Sequence, residues 1–217
     1  MRGLLIKDLR FMLQQKRFII MLLFLSVVLN FNSDGTFVVG YLTFFSTFFV
    51  LSTIGSDEQD NGYPFLMTLP VMRKTYVIGK YIFGLLFGGG AWLIAVAISL
   101  AFKVANHSQF TLPDFVMEVF MCLPIAIFVL AIMLPFQFKF GSERGRIVLV
   151  IAFSAGILCV FLLEKGLGMM GKDLGQIWDS LFDLHAGLVE MLSFGVVIVA
   201  VVLSCATSCH IMDRKEF

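Results

Sequence analysis

The chain has 217 residues, 59% of them apolar and 14% charged, with a mean hydropathy of +0.94. One soluble core cannot bury that much apolar surface, so a water-soluble globule is excluded and the surrounding solvent is a bilayer. The net charge of +1 carries no information about partners, but its distribution along the chain does.

Residues 1–17 read as an amphipathic helix on a membrane surface. Leu5, Leu9, Met12 and Leu13 form its apolar side, and Lys7, Arg10, Gln14 and Arg17 its polar side. The first apolar run carries no small-residue cleavage site, so a removable signal peptide is not expected. Crossing the hydrocarbon layer takes about 17–25 mostly apolar residues as helix. Six segments qualify as spans: Arg17–Phe31, Thr36–Gly55, Tyr81–Phe102, Phe115–Phe138, Ile147–Leu163 and Met191–Ile211. Six spans place both termini on one side. That side then holds Arg2, Lys7, Arg10, Lys16, Arg17, Arg73, Lys74, Lys80, Lys139, Arg144, Arg146, Arg214 and Lys215, against Lys103, Lys165 and Lys172 opposite. The cytosolic side of a membrane protein is the basic one, so both termini are expected in the cytoplasm.

Span two carries hydroxyls at Thr43, Ser46, Thr47 and Thr53, which share one helix face. Such hydroxyls either bond back to their own helix or face another helix or a pathway, and pathway-lining is the functional reading. Between spans two and three, residues 57–74 form a charged and amphipathic insert. Asp57, Glu58 and Asp60 are followed by Gly62, Tyr63 and Pro64, then by Phe65, Leu66 and Leu69 at helical spacing, and by Pro70, Arg73 and Lys74. An insert of this kind amid apolar spans needs a soluble partner, and Arg73, Lys74 and Lys80 read as anchors in the inner headgroups. In span three, Gly84 and Gly88 make a close-packing pair, with a hinge as the second role.

Span four contains Pro124 and Pro135, each of which permits a kink. A short basic turn over residues 139–146 leads to span five, where Ala152, Ala155 and Gly156 are small enough for close helix approach. Residues 164–190 read as an external segment whose Trp178 anchors an amphipathic helix in the outer interface, with His185 structural rather than catalytic.

The chemistry of catalysis is not evident. Gly166–Lys172 fits seven positions of a phosphate-binding loop, but Asp173 stands where a magnesium-holding hydroxyl belongs and no strand precedes it, so it reads as a glycine-rich loop. The four cysteines, Cys122, Cys159, Cys205 and Cys209, all fall within spans as small apolar side chains. Cys205, Cys209 and His210 on one helix converge too little for a metal. No mid-membrane Ser–His or Asp–Asp pair suggests a protease, and no central ionisable residue suggests an ion-coupled carrier.

Gly3-Leu4-Leu5-Ile6-Lys7-Asp8-Leu9, then Asp57-Glu58, Gly62-Tyr63, Thr68-Leu69-Pro70-Val71-Met72-Arg73-Lys74 and Val77-Ile78-Gly79-Lys80-Tyr81 together resemble the ATP-binding cassette type-2 permeases. The resemblance is to the small six-span bacterial kind, which includes exporters of amphipathic peptides and bacteriocin-immunity transporters. It departs from the family at Met72, where a serine is common. The resemblance implies a single all-α membrane permease domain over residues 1–217 in the bacterial cytoplasmic membrane, paired with a second permease subunit that is the same or homologous. It implies a separate cytosolic ATPase that holds ATP and magnesium, so that this chain has no cofactor and is not an enzyme. The insert then serves as the coupling helix, with Asp57, Glu58, Gly62, Tyr63, Phe65, Leu66, Leu69 and Arg73 as the ATPase-coupling residues. Ala152, Ala155 and Gly156, with span one, are the expected permease dimer contact. Phe-rich spans with a hydroxyl stripe suit export of amphipathic peptides or lipid-like antimicrobial cargo. The alternative is a non-transporting sensor or immunity subunit that sequesters a peptide.

Overall fold

The computed structural model describes residues 2–32, 35–58, 63, 72–105, 111–169 and 186–215, and its elements among these are helices. They are α1 (Arg2–Gln14), α2 (Lys16–Asn32), α3 (Thr36–Glu58), α4 (Arg73–Ala105), α5 (Leu112–Met169) and α6 (Ala186–Arg214). Four stretches are long and apolar enough to cross a membrane: Thr36–Glu58, Arg73–Ala105, Leu112–Gly141 and Met191–Arg214. The pair Gly3–Gln14 and Lys16–Asn30, bent by 68°, makes a fifth if counted as one broken span. The all-helical membrane architecture read from the sequence is therefore present.

The bend between α1 and α2 falls at Gln15, whose amide still bonds to the Met12 carbonyl at 2.9 Å. Beyond it, α2 turns Ile20, Met21 and Phe24 outward, and α6 does the same with Leu192, Val196 and Val199. Exposed apolar surface of this extent is a liability in water and the natural coat of a helix in lipid.

The centre of the bundle is α3, which packs against α1, α2, α4 and α5. Val38, Val39, Val50 and Ile54 are fully enclosed there. Gly84 of α4 sits so close to α5 that a Cβ would meet Leu130 Cδ2 at 2.8 Å, whereas Gly88 faces Ser46 of α3. The two glycines thus serve two different neighbours. Side-chain hydrogen bonds then pin the helices, as they do where no hydrophobic drive separates helix from lipid. Tyr81 Oη lies 2.6 Å from Ser204 Oγ and 2.9 Å from Ser208 Oγ, Gln137 Nε2 donates to the Leu51 carbonyl at 2.7 Å, and Trp92 Nε1 donates to the Val119 carbonyl at 3.0 Å.

Three boundaries differ from the sequence reading. The eight-residue turn expected over residues 139–146 is compressed to one non-helical residue, Gly141 (φ 78°, ψ 176°), inside α5. Helix α4 begins at Arg73 and runs unbroken through Lys80 into the third span, since nothing between them breaks a helix. At its far end α5 continues to Met169, so Gly166–Met169 are helical rather than loop. The amphipathic helix expected around Trp178 lies outside the described residues.

Candidate functional site at the charged end of the bundle

Three helices bring charge together at the end of the bundle where α3 stops and α4 starts. On α3, Thr53 and Asp57 stand four residues apart and share a face, as do Tyr76 and Lys80 on α4. On α1, Asp8 lies one turn from Leu4 and one turn from Met12, and this face packs inward. Lys80 is 1% exposed, Asp8 2% and Asp57 7%.

Lys80 Nζ lies 2.8 Å from Asp8 Oδ1, 2.9 Å from Asp57 Oδ2 and 3.0 Å from Thr53 Oγ1. An ammonium has three hydrogens, and here each has an acceptor. Asp57 also accepts from Tyr76 Oη at 2.9 Å and from Lys7 Nζ, whose ammonium stands 3.8 Å from Asp8 Oδ1. Two cations thus face two carboxylates, and the group is neutral as a whole. Burying one of these charges alone would be costly; paired and hydrogen-bonded, the set can stay ionised away from water.

Aromatic rings wall this cluster. The Lys80 ammonium lies 5.4 Å from the Tyr76 ring centre, and Tyr76 meets Tyr63 edge-on at 5.9 Å and Phe138 at 6.2 Å. Burial pushes the Tyr63 phenol well above its ordinary range.

Lys80 is therefore not an anchor in the headgroups, as its place in the sequence suggested. It points inward because two carboxylates and a hydroxyl wait on that face. Of the residues expected to couple to an ATPase, Asp57 is enclosed in the cluster and Tyr63 is buried beside it. Glu58 lies against Gly141 and 3.9 Å from Lys215 Nζ. Arg73 Nη1 donates to the carbonyls of Met212, Asp213 and Lys215 at 3.2, 3.0 and 3.0 Å. Gly62, Phe65, Leu66 and Leu69 lie outside the described residues.

The hydroxyl stripe is buried within the subunit. Thr43, Ser46, Thr47 and Thr53 each donate to a carbonyl of their own helix three or four residues back, those of Val39, Thr43, Phe44 and Val50. Ser46 also borders an apolar cavity of about 270 Å³ between α2, α3 and α4, beside Leu22, Phe49 and Phe87. Ala152, Ala155 and Gly156 fall in the part of α5 beyond Gly141, and their side-chain surroundings lie outside the described residues.

The sequence reading missed Asp8, Tyr76 and Lys80 as a unit, although a signal was present. Asp8 is the one acid before Asp34 in a basic segment, and Lys80 is the one charge between Lys74 and Lys103. A solitary charge in such company calls for a partner.

A family model described as ABC-2 family transporter protein matches residues 3–213. No curated protein matches the chain.

Proposed function

The chain belongs to the ABC-2 family of transporters, and from that premise we propose that it is the membrane permease subunit of an ATP-binding cassette exporter, driven by a separate ATPase. Six spans cross the cytoplasmic membrane, counting the bent α1–α2 pair and the part of α5 beyond Gly141, and the charged end faces the cytosol. Two permease subunits pair through the small residues Ala152, Ala155 and Gly156 with α2, and ATP and magnesium stay on the ATPase.

The observation that carries this reading is the buried ion cluster. It bridges the two ends of the insert, Asp57 at its start and Tyr76 with Lys80 just past its end, and adds α1 as a third member. An ATPase that closes beneath the membrane can displace only what reaches the cytosol. An insert whose flanks are bolted together passes that displacement to α1, α3 and α4 at once. In this arrangement Gly62, Phe65, Leu66 and Leu69 meet the ATPase, while Asp57, Glu58, Tyr63 and Arg73 transmit its movement inward.

Amphipathic peptides or lipid-like molecules suit the interior. The cavity beside Ser46 is lined by leucine, isoleucine and phenylalanine. At about 270 Å³ it falls below the range of about 300–1,000 Å³ usual for whole small ligands. It therefore seats an apolar side chain or a stretch of acyl chain rather than a compact polar molecule.

Leu66→Asp tests the reading, because it places an unpaired charge in the dock and costs on the order of a few kcal/mol of binding. Co-purification with the ATPase should fall, and efflux with it. Undiminished association and efflux would remove the insert from coupling. ATPase association with no transport of any amphiphile would favour a peptide-sequestering subunit instead. Substitution of Asp57 is unsuited to this test, since it would disrupt the buried cluster as well.

A further inference from the structure

Resting on the permease reading, we propose that Arg73 and Lys215 are positioning residues that tie the end of α6 to both flanks of the insert, so that α6 moves with the coupling segment. Arg73 opens α4 at the end of the insert, and one of its nitrogens, Nη1, serves three carbonyls at the end of α6: Met212 at 3.2 Å, Asp213 at 3.0 Å and Lys215 at 3.0 Å. The last carbonyls of a helix have no partners within it and carry its negative dipole end, so a guanidinium there is held by charge as well as by hydrogen bonds.

Lys215 makes the second half of the grip. Its Nζ donates to the Phe138 carbonyl at 3.2 Å, stands 3.9 Å from Glu58 Oε1 and lies 5.0 Å from the centre of the Tyr63 ring. Glu58 ends α3 at the start of the insert, and Tyr63 lies further within it. The end of α6 therefore touches the start, the interior and the end of the insert. A simple helix cap needs one donor from one neighbour, and this one draws on three points of the same functional segment.

The grip also reaches the break in α5. Phe138 lies three residues before Gly141, whose φ of 78° and ψ of 176° fall in a region open essentially to glycine alone. A Cβ at that position would collide with the Glu58 carboxylate. Displacement of the insert is thus communicated to α6 through Arg73 and Lys215, and to the α5 break through Glu58. The exposed Lys74–Asp213 pair at 3.7 Å adds little hold of its own.

The test uses the permease with its ATPase in vesicles, with whichever of a labelled amphipathic peptide or a labelled phospholipid the wild-type complex exports. Arg73→Met combined with Lys215→Met should keep ATPase association and ATP hydrolysis while efflux per ATP falls several-fold. Arg73→Lys should retain more of it than Arg73→Met, since an ammonium still offers hydrogens to the carbonyls. Wild-type efflux per ATP in the double variant, alongside loss of association in Leu66→Asp, would overturn the role of α6 and leave the permease reading standing. Normal association and efflux in Leu66→Asp would overturn both.

A second measurement decides the matter if the double variant fails to accumulate. Spin labels at Lys74→Cys and Asp213→Cys, with Cys122, Cys159, Cys205 and Cys209 replaced by alanine and the labelled subunit diluted with unlabelled subunit, should give an intrasubunit distance that is unchanged between ATP-free and ATP-trapped complexes. A distance that changes with nucleotide would show α6 and the coupling segment moving apart, and would sink the proposal.

Discussion

The two ends of α4 treat buried polar groups in opposite ways. At Lys80 every hydrogen of the ammonium has an acceptor, and two cations balance two carboxylates. At the other end Ser99 Oγ and Asn30 Nδ2 are buried without a hydrogen-bond partner among the described residues. They stand around Gly35, where φ is +74° and a Cβ would lie 2.5 Å from Ser99 Oγ. A saturated network holds one arrangement, because any shift breaks several charged bonds at once. The comparison teaches that charge cross-links the helices at the Lys80 end, and that among the described residues no such network forms at the Ser99 end.

Removing the centre of the saturated end should have the largest effect. Lys80→Met leaves Asp8 and Asp57 facing each other with Lys7 as their remaining cation, and breaking a buried ion pair in this way costs about 3–5 kcal/mol. Thermal unfolding of the purified subunit in lipid nanodiscs reads it directly. Adding Asp8→Asn should recover much of the loss by restoring neutrality. A Lys80→Met protein as stable as wild type would mean that the cluster contributes no hold.

The next effect concerns the break in α5. Gly141→Ala forces a side chain into a glycine-only conformation and against the Glu58 carboxylate, at a cost of about 1–3 kcal/mol. The same unfolding measurement applies, and an unchanged midpoint would show that the backbone there relaxes without penalty.

The sharpest form of the comparison is a matched pair. Thr53→Val removes an acceptor from a buried ammonium and should cost about 1–3 kcal/mol. Ser99→Ala removes a hydroxyl with no partner among the described residues, and should leave stability unchanged or raise it. Equal destabilisation by both would erase the distinction between the two ends.

Much of the fold was legible because apolar length and charge bias are local signals. Residues 36–55 and 191–211 are long apolar runs, whereas the spacing of Gly84 and Gly88, read as one close-packing pair, hid two different neighbours. The cluster was hidden because a helix that is apolar on every side has no periodicity to say which face turns inward. Lys74 and Lys80 therefore read alike as surface anchors. They stand six positions apart, about 600° of helical rotation at 3.6 residues per turn, and so occupy different faces. Lys74 is exposed and Lys80 enclosed. Asp8 was hidden for a further reason: its partner lies 72 positions along the chain, and only the fold of α1 against α4 makes them neighbours. Arg73 was read as a headgroup anchor beside Lys74, because its grip on α6 depends on a helix end 139 to 142 residues away.

The enclosure of Asp8, Asp57 and Lys80 also sets how the joint responds to dissolved salt. Mobile ions weaken attraction between exposed charges over a screening length of about 8 Å at physiological ionic strength, and reach buried pairs far less. Lys74 and Asp213, open to solvent, loosen their hold as salt rises, whereas Asp8, Asp57 and Lys80 keep theirs. The connection among α1, α3 and α4 is therefore far less sensitive than the Lys74–Asp213 pair to the ionic conditions of the compartment it faces.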